Sequence, residues 1–200
     1  MATKFDSNAE YILEDEQVLL RPLKETDLQF LLPFALNETD TWKFSLKNAA
    51  GEDGMRAYIH DALAAREAGK EYAFIVYDKQ TQQYAGCTRF YDIQQDHQTL
   101  QLGYTWYGEN FRGTGLNKHC KFLLLQFAFE TLGIARVEFR ADARNERSIA
   151  AMKSIGCTVE GILRDHLALH TGARRDSIIL SILKDEWFAT IKERIGSKLK

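Results

Sequence analysis

The sequence is poor in proline and in anything that resembles a linker. Only 2 of its 200 residues are proline, and no low-complexity tract or internal repeat divides the chain. With 45% hydrophobic and 27% charged residues, the composition is that of an ordinary globular protein rather than a disordered or fibrous one. We therefore expect one domain over residues 1–200 with a substantial core, in which residues 1–16 form a loosely held lead-in.

Cysteine and long apolar runs are also scarce. The cysteines Cys87, Cys120 and Cys157 are odd in number and widely spaced, which fits reduced thiols better than a disulfide framework. The first 16 residues are polar and acidic with no signal-peptide core, and no apolar run has membrane-spanning length. We expect a cytoplasmic protein without a membrane partner.

The chain has no excess of positive charge. It carries 26 Lys and Arg against 28 Asp and Glu, whereas affinity for duplex nucleic acid depends on neutralising phosphates with basic residues. Nucleic acid is therefore excluded as a partner, and any anion site must be local. A metal site is not expected either, because His166 and His170 are four residues apart but no third ligand follows nearby.

Hydrophobic periodicity predicts alternating strands and helices. The predicted strands are residues 18–21, 72–77, 84–93, 100–107, 137–141, 157–162 and 177–183, and the predicted helices begin after an N-cap at Thr26 and span residues 54–67, 116–132 and 147–155. An antiparallel meander followed by a β-α-β-α-β-β order predicts an α/β fold with a mixed sheet. The basic end after Trp187 is predicted to be a solvated tail or a helix end.

The most informative segment is the glycine-bearing stretch between a strand and a long helix, residues 107–117. Gly113 and Gly115 permit the backbone conformations that let successive N–H groups point into one concave nest. The N-terminus of the following helix adds free donors and the positive end of its dipole, so the turn is suited to a phosphate or pyrophosphate. The spacing fits neither a P-loop nor the dinucleotide fingerprint, which needs a glycine where Lys118 stands. A simple tight turn is the alternative.

Several motifs in order resemble the GNAT superfamily of N-acetyltransferases, and within it the branch of ribosomal-protein N-terminal alanine acetyltransferases. The stretch Asn110-Phe111-Arg112-Gly113-Thr114-Gly115 matches the family's Gln/Arg-x-x-Gly-x-Gly/Ala loop except that asparagine takes the first place. Further matches follow the family's order along the chain: Leu19, Arg21, Pro22, Leu23 and Asp27, then the run Leu102-Gly103-Tyr104-Thr105-Trp106, then Asn145, Ser148, Gly156, Gly161, Arg164, Gly172 and Asp176.

The resemblance implies a strongly twisted mixed central sheet, splayed between its fourth and fifth strands (residues 100–107 and 137–141), with helices on both faces and acetyl-CoA held in the split. It implies main-chain contacts of the loop to the CoA pyrophosphate, with Arg112 or Lys118 near the phosphates, Trp106 beside the pantetheine arm, and Asn145 hydrogen-bonded to that arm. The full set expected at the cofactor is Trp106, Tyr107, Phe111, Arg112, Gly113, Thr114, Gly115, Leu116, Asn117, Lys118, Asn145 and Ser148.

The family mechanism is direct attack of a neutral amine on the thioester, so catalysis consists of positioning, polarisation of the carbonyl and two proton transfers. In many relatives a tyrosine seven residues after the asparagine serves as general acid, and this chain has Met152 there. Candidates for the acid are Tyr104, Tyr107 and Ser148, for each of which a structural role is favoured; the alternatives are a water molecule or departure of the thiolate without an acid. Candidates for the base are Glu109, Glu138 and His119. For His119 a packing or capping role is favoured. The catalytic set that we predict is Glu109, Glu138 and Tyr104.

The resemblance implies transfer of an acetyl group from acetyl-CoA to a primary amine, most readily the α-amine of a protein or peptide N-terminus. The alternatives are a small amine (an amino acid, polyamine or aminoglycoside) and a catalytically silent acyl-CoA-binding regulatory module. Two roles are open for the aromatic residues Trp42, Phe44 and Tyr58: they line the acceptor pocket, or they pack in the core. Packing in the core is the favoured role. A monomer and a homodimer both remain open.

Overall fold

The computed structural model describes residues 3–199 and contains an eight-stranded mixed sheet. The strands are β1 (Leu13–Glu14), β2 (Val18–Pro22), β3 (Glu71–Asp78), β4 (Gln83–Gln94), β5 (Thr99–Tyr107), β6 (Arg136–Asp142), β7 (Thr158–Ala168) and β8 (Arg174–Leu183). Their order across the sheet is β1-β2-β3-β4-β5-β6-β8-β7. All neighbours are antiparallel except β5 and β6, which run parallel, so the predicted mixed α/β sheet is confirmed.

Helices cover both faces of the sheet. They are α1 (Leu28–Asn37), α2 (Gly51–Glu67), α3 (Leu116–Gln126, continued by a π-helical turn Phe127–Thr131), α4 (Glu146–Ser154), and a C-terminal segment made of α5 (Lys184–Glu186), the π-helical Trp187–Ile191 and α6 (Lys192–Gly196). Side chains alternate between faces along a strand. In β3, Phe74 packs into the larger core beneath α3, α4 and the C-terminal segment, while Ile75 packs into the smaller core beneath α1 and α2.

The parallel pair β5 and β6 separates soon after it begins. Main-chain pairing joins Thr99 to Arg136, Leu100 to Val137 and Gln101 to Glu138. Beyond those three pairs β5 continues to Tyr107 and β6 to Asp142. These are the predicted fourth and fifth strands, so the predicted splay is confirmed, and it opens a gap through the middle of the sheet.

The N-terminal segment differs from the loose lead-in expected from its polar composition. Leu13 and Glu14 form β1 against β2, and the N–H of Tyr11 donates to the hydroxyl of Tyr72 over 3.0 Å. Phe5 is buried, with its ring 5.8 Å from that of Tyr72. Aromatic side chains thus anchor a segment whose charged residues face solvent.

Two helix ends also differ from the sequence-based expectation. The first helix begins at Leu28 and not directly after Thr26, because Asp27 is buried in a bidentate ion pair with Arg21 at 2.9 and 2.6 Å. The basic C-terminal end is helical and packed: Trp187 and Ile195 are almost fully buried in the larger core. Within the described residues, no helix combines the length and apolarity needed to cross a bilayer.

Candidate functional site

A cleft of about 830 Å³ opens where β5 and β6 separate, and it connects the two faces of the sheet. We call the part beneath α3 and α4 the α3 half; its lining includes Arg112, Gly113, Gly115, Asn117, Lys118, Lys121, Asn145, Arg147, Ser148 and Met152. We call the part on the other face the α2 half; its lining includes residues 40–47, Tyr58, Tyr91, Tyr104, Arg140 and Arg175. Most of the predicted cofactor residues therefore line the α3 half.

The turn before α3 has the backbone that the glycine pattern predicts. Gly113 has φ +77° and Gly115 has φ +96°, a left-handed region that side chains with a Cβ adopt at a cost. A Cβ built on either glycine would meet no atom within 4 Å. Backbone conformation, and not lack of space, is thus the reason for glycine at both positions, and the turn faces an open volume.

The main-chain donors of this turn are free. No hydrogen bond among residues 3–199 uses the N–H of Gly113, Thr114 or Gly115. The Thr114 hydroxyl donates to the Phe111 carbonyl over 3.0 Å and so braces the turn. Together with the first turn of α3, these N–H groups form an anion site of the kind that a helix N-terminus provides.

Three cations surround the turn at the rim of the α3 half. Lys118 and Arg147 line the cleft beside it, and Arg112 is held by a 2.9 Å hydrogen bond from its Nε to the Tyr107 carbonyl. Burial, followed by the charge of Arg147, lowers the pKa of Arg112. The carboxylates of Glu38 and Glu109, 3.8 and 3.7 Å from the guanidinium, act in the opposite direction but do not outweigh burial and the neighbouring cation.

Asn145 is the N-cap of α4. Its side-chain oxygen accepts from the Ser148 N–H over 3.1 Å, which satisfies one of the free donors at the helix start. The Asn145 amide nitrogen has no hydrogen bond in the described part of the chain. Because both residues line the α3 half, that nitrogen is placed to donate to a ligand in the cleft.

A β-bulge in β5 presents Tyr104 to the cleft. The pairing of β4 with β5 shifts between Cys87 and Arg89, and Tyr104 has φ +49°. Such a left-handed conformation in a residue other than glycine is uncommon and often occurs at functional sites. The Arg89 guanidinium lies 4.4 Å from the centre of the Tyr104 ring and 4.8 Å from that of Tyr58. Burial, then the nearby Glu71, raises the pKa of Tyr104, which keeps its hydroxyl protonated.

The two carboxylates predicted as general bases lie outside the cleft lining. Glu109 is exposed, 3.7 Å from Arg112. Glu138 lies between Arg136 at 3.0 Å and Arg140 at 2.6 Å. The prediction of catalytic roles for these two residues receives no geometric support, because each carboxylate is directed at an arginine neighbour.

The other predicted residues divide between lining and packing. Trp106, Tyr107 and Phe111 line the cleft and are largely buried. The indole N–H of Trp106 donates to the Tyr58 hydroxyl over 3.3 Å. Leu116 and Thr114 do not line the cleft, because Leu116 enters the larger core and Thr114 braces the turn. Trp42 and Tyr58, for which the sequence favours packing, are buried and also line the α2 half, as Phe44 does.

His119 has the structural role that the sequence favours for it. Its Nδ1 lies 2.7 Å from the Asp15 carboxylate, which joins the first turn of α3 to the loop before β2. Although burial works in the opposite direction, hydrogen bonds from His119 and the backbone lower the pKa of Asp15. Among residues 3–199, no group of three or more histidine, cysteine or acidic side chains is arranged to hold a metal ion.

Sequence reasoning missed several cations of the cleft, among them Lys121, Arg147 and Arg175. Lys121 and Arg175 are 5% and 6% exposed, which is rare for charged residues without an ion pair. The one signal for Lys121 in the sequence is its position beside Cys120 on the apolar face of a helix. For Arg175 the sequence offers no signal, because its burial depends on how β8 meets β6.

Comparison with known proteins then identifies the family. The family model of the acetyltransferase (GNAT) domain matches residues 17–158, which include the glycine turn and both strands that form the cleft. The chain belongs to the GNAT acetyltransferase family. The predicted fold and the predicted family resemblance are thereby confirmed, and the chain is an N-acyltransferase that uses acetyl-CoA.

Individual relatives agree with the GNAT assignment. YdaF of Bacillus subtilis, whose name provisionally assigns it as a ribosomal N-acetyltransferase, is 28% identical over 183 residues, covering 86% of this chain and 94% of YdaF. A solved structure from T. thermophilus, provisionally described as an acetyltransferase, is 31% identical over the full length of both chains with a TM-score of 0.85.

A third comparison concerns the ligand that the GNAT fold accepts. The microcin C7 self-immunity acetyltransferase MccE, solved in complex with acetyl-CoA and AMP, has a TM-score of 0.74 and covers 84% of this chain and 93% of MccE. At 22% identity it shows only that the fold is shared. It places this chain on a GNAT scaffold that binds acetyl-CoA in a relative.

Proposed function

We propose that this GNAT protein transfers the acetyl group of acetyl-CoA to the α-amine of a protein or peptide N-terminus. The α3 half of the cleft would hold the CoA, with the free N–H groups of Gly113, Thr114 and Gly115 at its pyrophosphate. Lys118 and Arg147 line the same half of the cleft and would bind the nucleotide phosphates. The α2 half would then receive the amine.

The observation that carries the proposal is the charge of the α2 half. Four cations line it: Lys47 pairs with Asp61 and Arg140 with Glu138, whereas Lys43 and Arg175 have no ion pair within residues 3–199. Asp40 is an exposed carboxylate of the same lining. Nearby cations disfavour an ammonium relative to the neutral amine and so lower the pKa of an amine that binds there. The pocket itself therefore promotes loss of the amine's proton.

The same lowering of the pKa leaves an α-amine closer to neutral than a lysine side chain. An α-amine has a pKa of about 8 and lysine one of about 10.4, so reaching the neutral lysine amine costs about 3 kcal/mol more at neutral pH. The carboxylates predicted as bases, Glu109 and Glu138, lie outside the cleft lining and pair with Arg112 and Arg140. Asp142, which does line the cleft, is engaged by Arg144, whose hydrogen bonds lower its pKa. An acceptor amine that loses its proton easily fits such a site best.

The name of YdaF supports a ribosomal protein as the source of the N-terminus. One observation favours the runner-up, a free amino acid. The guanidinium of Arg175 is buried in the α2 half and, within residues 3–199, has a single hydrogen bond, from its Nε to the Ser177 hydroxyl over 3.0 Å. Its terminal nitrogens therefore fit a carboxylate that lies close to the reacting amine.

A matched acceptor panel tests the proposal. Purified protein and acetyl-CoA are incubated with a peptide whose α-amine is free and whose lysine is blocked, with the same peptide blocked in the opposite way, and with free amino acids and polyamines. Release of CoA thiol gives the rate, and mass spectrometry gives the position of the acetyl group. We expect acetylation of the peptide with the free α-amine only.

The other results of the panel are equally informative. Turnover only on amino acids or polyamines would establish the small-amine alternative. Binding of acetyl-CoA by calorimetry, with no turnover on any acceptor including ribosomal-protein N-termini, would establish the silent module.

A further inference from the structure

Lys121 is a buried cation at the floor of the cleft with no ion-pair partner in the described residues. Its Nζ donates to the Thr105 hydroxyl of β5 over 2.9 Å. The same Nζ lies 5.7 Å from the centre of the Phe139 ring on β6. Lys121 thus reaches from α3 into the gap between the two strands, where they no longer pair with each other.

The ammonium of Lys121 uses only part of its hydrogen-bonding capacity. It has three donors, of which the Thr105 hydroxyl takes one. Burying a charge without a counter-charge is costly, so such a group is retained where a negative charge forms during function. In acetyl transfer from a thioester, that charge forms on the departing sulfur.

The position that holds the general acid in many relatives has no proton donor in this chain. Met152, seven residues after Asn145, takes the place of the tyrosine found in many relatives, and its thioether has no proton to give. Met152 lines the same α3 half as Lys121, from the opposite helix. The cleft therefore lacks the tyrosine hydroxyl on α4 but has the Lys121 ammonium on α3.

We infer that Lys121 is a catalytic residue that protonates the sulfur of coenzyme A as the thioester breaks. The nitrogen lone pair of the neutral amine forms the C–N bond, and the C–S bond breaks with its electron pair going to sulfur. The proton passes from Lys121 Nζ to sulfur and leaves CoA as a thiol. The surplus proton on the new amide nitrogen goes to water in the cleft, from which Lys121 is recharged. This inference rests on acetyl transfer from acetyl-CoA, but not on which amine accepts it.

The surroundings of Lys121 tune it for this task. Burial lowers its pKa to about 8, close to the value of about 8.5 for an ordinary cysteine thiol. The titratable groups that face it are the thiols of Cys120 and Cys157, and burial raises the pKa of both to about 12. The residues that β5 and β6 bring to it, Thr105 and Phe139, carry no charge. Nothing among these neighbours competes for its proton near neutral pH.

Titration of bound CoA tests the inference without any acceptor. The thiol of CoA bound to the protein is titrated by the ultraviolet absorbance of its thiolate, and the protein's own thiols remain protonated because they are buried. In wild type, we expect the pKa of the bound thiol to be lower than in Lys121→Met by about one unit or more, as for a charge within reach of a cation. Equal values in the two proteins would overturn the inference.

Kinetics supply the second test. With the best acceptor of the panel, we expect Lys121→Met to lower kcat about 100-fold, the usual contribution of a general acid, with little change in the KM for acetyl-CoA. The alkaline limb of the pH–rate profile, expected near the Lys121 pKa of about 8, should disappear. Lys153→Met, an exposed lysine on α4 outside the cleft lining, is the matched control and should behave as wild type.

A second-site variant separates proton donation from packing. Adding Met152→Tyr to Lys121→Met places a hydroxyl donor on the opposite wall, and we expect it to restore kcat about tenfold. If kcat falls without a change in thiol pKa, and Met152→Tyr restores nothing, Lys121 is structural and the inference fails. If only a small amine is acetylated and both kcat and the thiol pKa still depend on Lys121, the proposed N-terminal acceptor fails and the inference stands.

Discussion

The two halves of the cleft are suited to their proposed ligands by different physical means. In the α3 half, the anion site is made from main-chain N–H groups of a turn whose conformation two glycines allow. In the α2 half, the site is made from side chains: buried Arg175, Arg140 and the aromatic groups around Tyr104. The ligand of a main-chain site depends on the backbone conformation of the turn. The ligand of a side-chain site depends on which residues line it, and so it can change when those residues are substituted.

This difference explains why the cofactor was easier to infer than the acceptor. The turn depends on glycine at fixed positions, which the sequence displays directly. The α2 half depends on residues from β4, β5, β6, β8 and the segment between α1 and α2, which come together only after folding. The same reaction can therefore serve different amines while the α3 half stays constant.

The largest effect is expected from Gly115→Val. A branched side chain at φ +96° costs about 1–2 kcal/mol or more in backbone strain and would turn the N–H groups away from the phosphates. We expect the affinity for CoA, measured by calorimetry, to fall about tenfold or more. The affinity for the acceptor should fall only to the extent that acceptor binding depends on bound CoA.

Gly172→Val is the matched control for Gly115→Val. Gly172 has φ +82°, and its Cβ would also meet open space, but it lies in the turn between β7 and β8. Both variants should lose similar thermal stability, and only Gly115→Val should lose CoA. If both lose CoA equally, strain and not the anion site is responsible, and the contrast between the two halves is not supported.

A smaller effect is expected from Arg175→Met, on the other half. Removing the buried guanidinium should raise the KM for an acceptor that carries a carboxylate about tenfold, the lower end of the about 1.5–3 kcal/mol that one charged hydrogen bond contributes. CoA affinity should be unchanged. Arg174→Met, the exposed neighbour bound to Asp165, tests whether a general loss of positive charge is enough.

Arg175→Met also discriminates between acceptors. A response with free amino acids but not with peptides would mean that the guanidinium binds the α-carboxylate of a small acceptor. A change in CoA affinity would contradict the division of the cleft into two independent halves.

Local pattern and the order of elements along the chain predicted the mixed sheet and the glycine turn, whereas the splay was implied by the family resemblance. The sequence did not predict that Phe5 and Tyr11 would anchor the N-terminal segment, since their contacts with Tyr72 join residues about sixty positions apart. Glu138 illustrates the same limit. Strand alternation left its direction an even choice, and two arginines on its own strand decided where the carboxylate went.

The smallest effect is expected from Tyr104→Phe. If Lys121 protonates the departing sulfur, the Tyr104 hydroxyl carries no proton in the reaction, and its raised pKa makes it a poor donor in any case. The ring would still pack against Tyr91, whose centroid lies 5.0 Å away, and beneath Arg89. We expect kcat to fall less than about threefold, far below the 100-fold typical of a lost general acid. A loss of 100-fold would mean that Tyr104, in the bulge of β5, is the general acid and that Lys121 on α3 is not. The variants Tyr104→Phe and Lys121→Met together therefore decide which of the two residues protonates the sulfur.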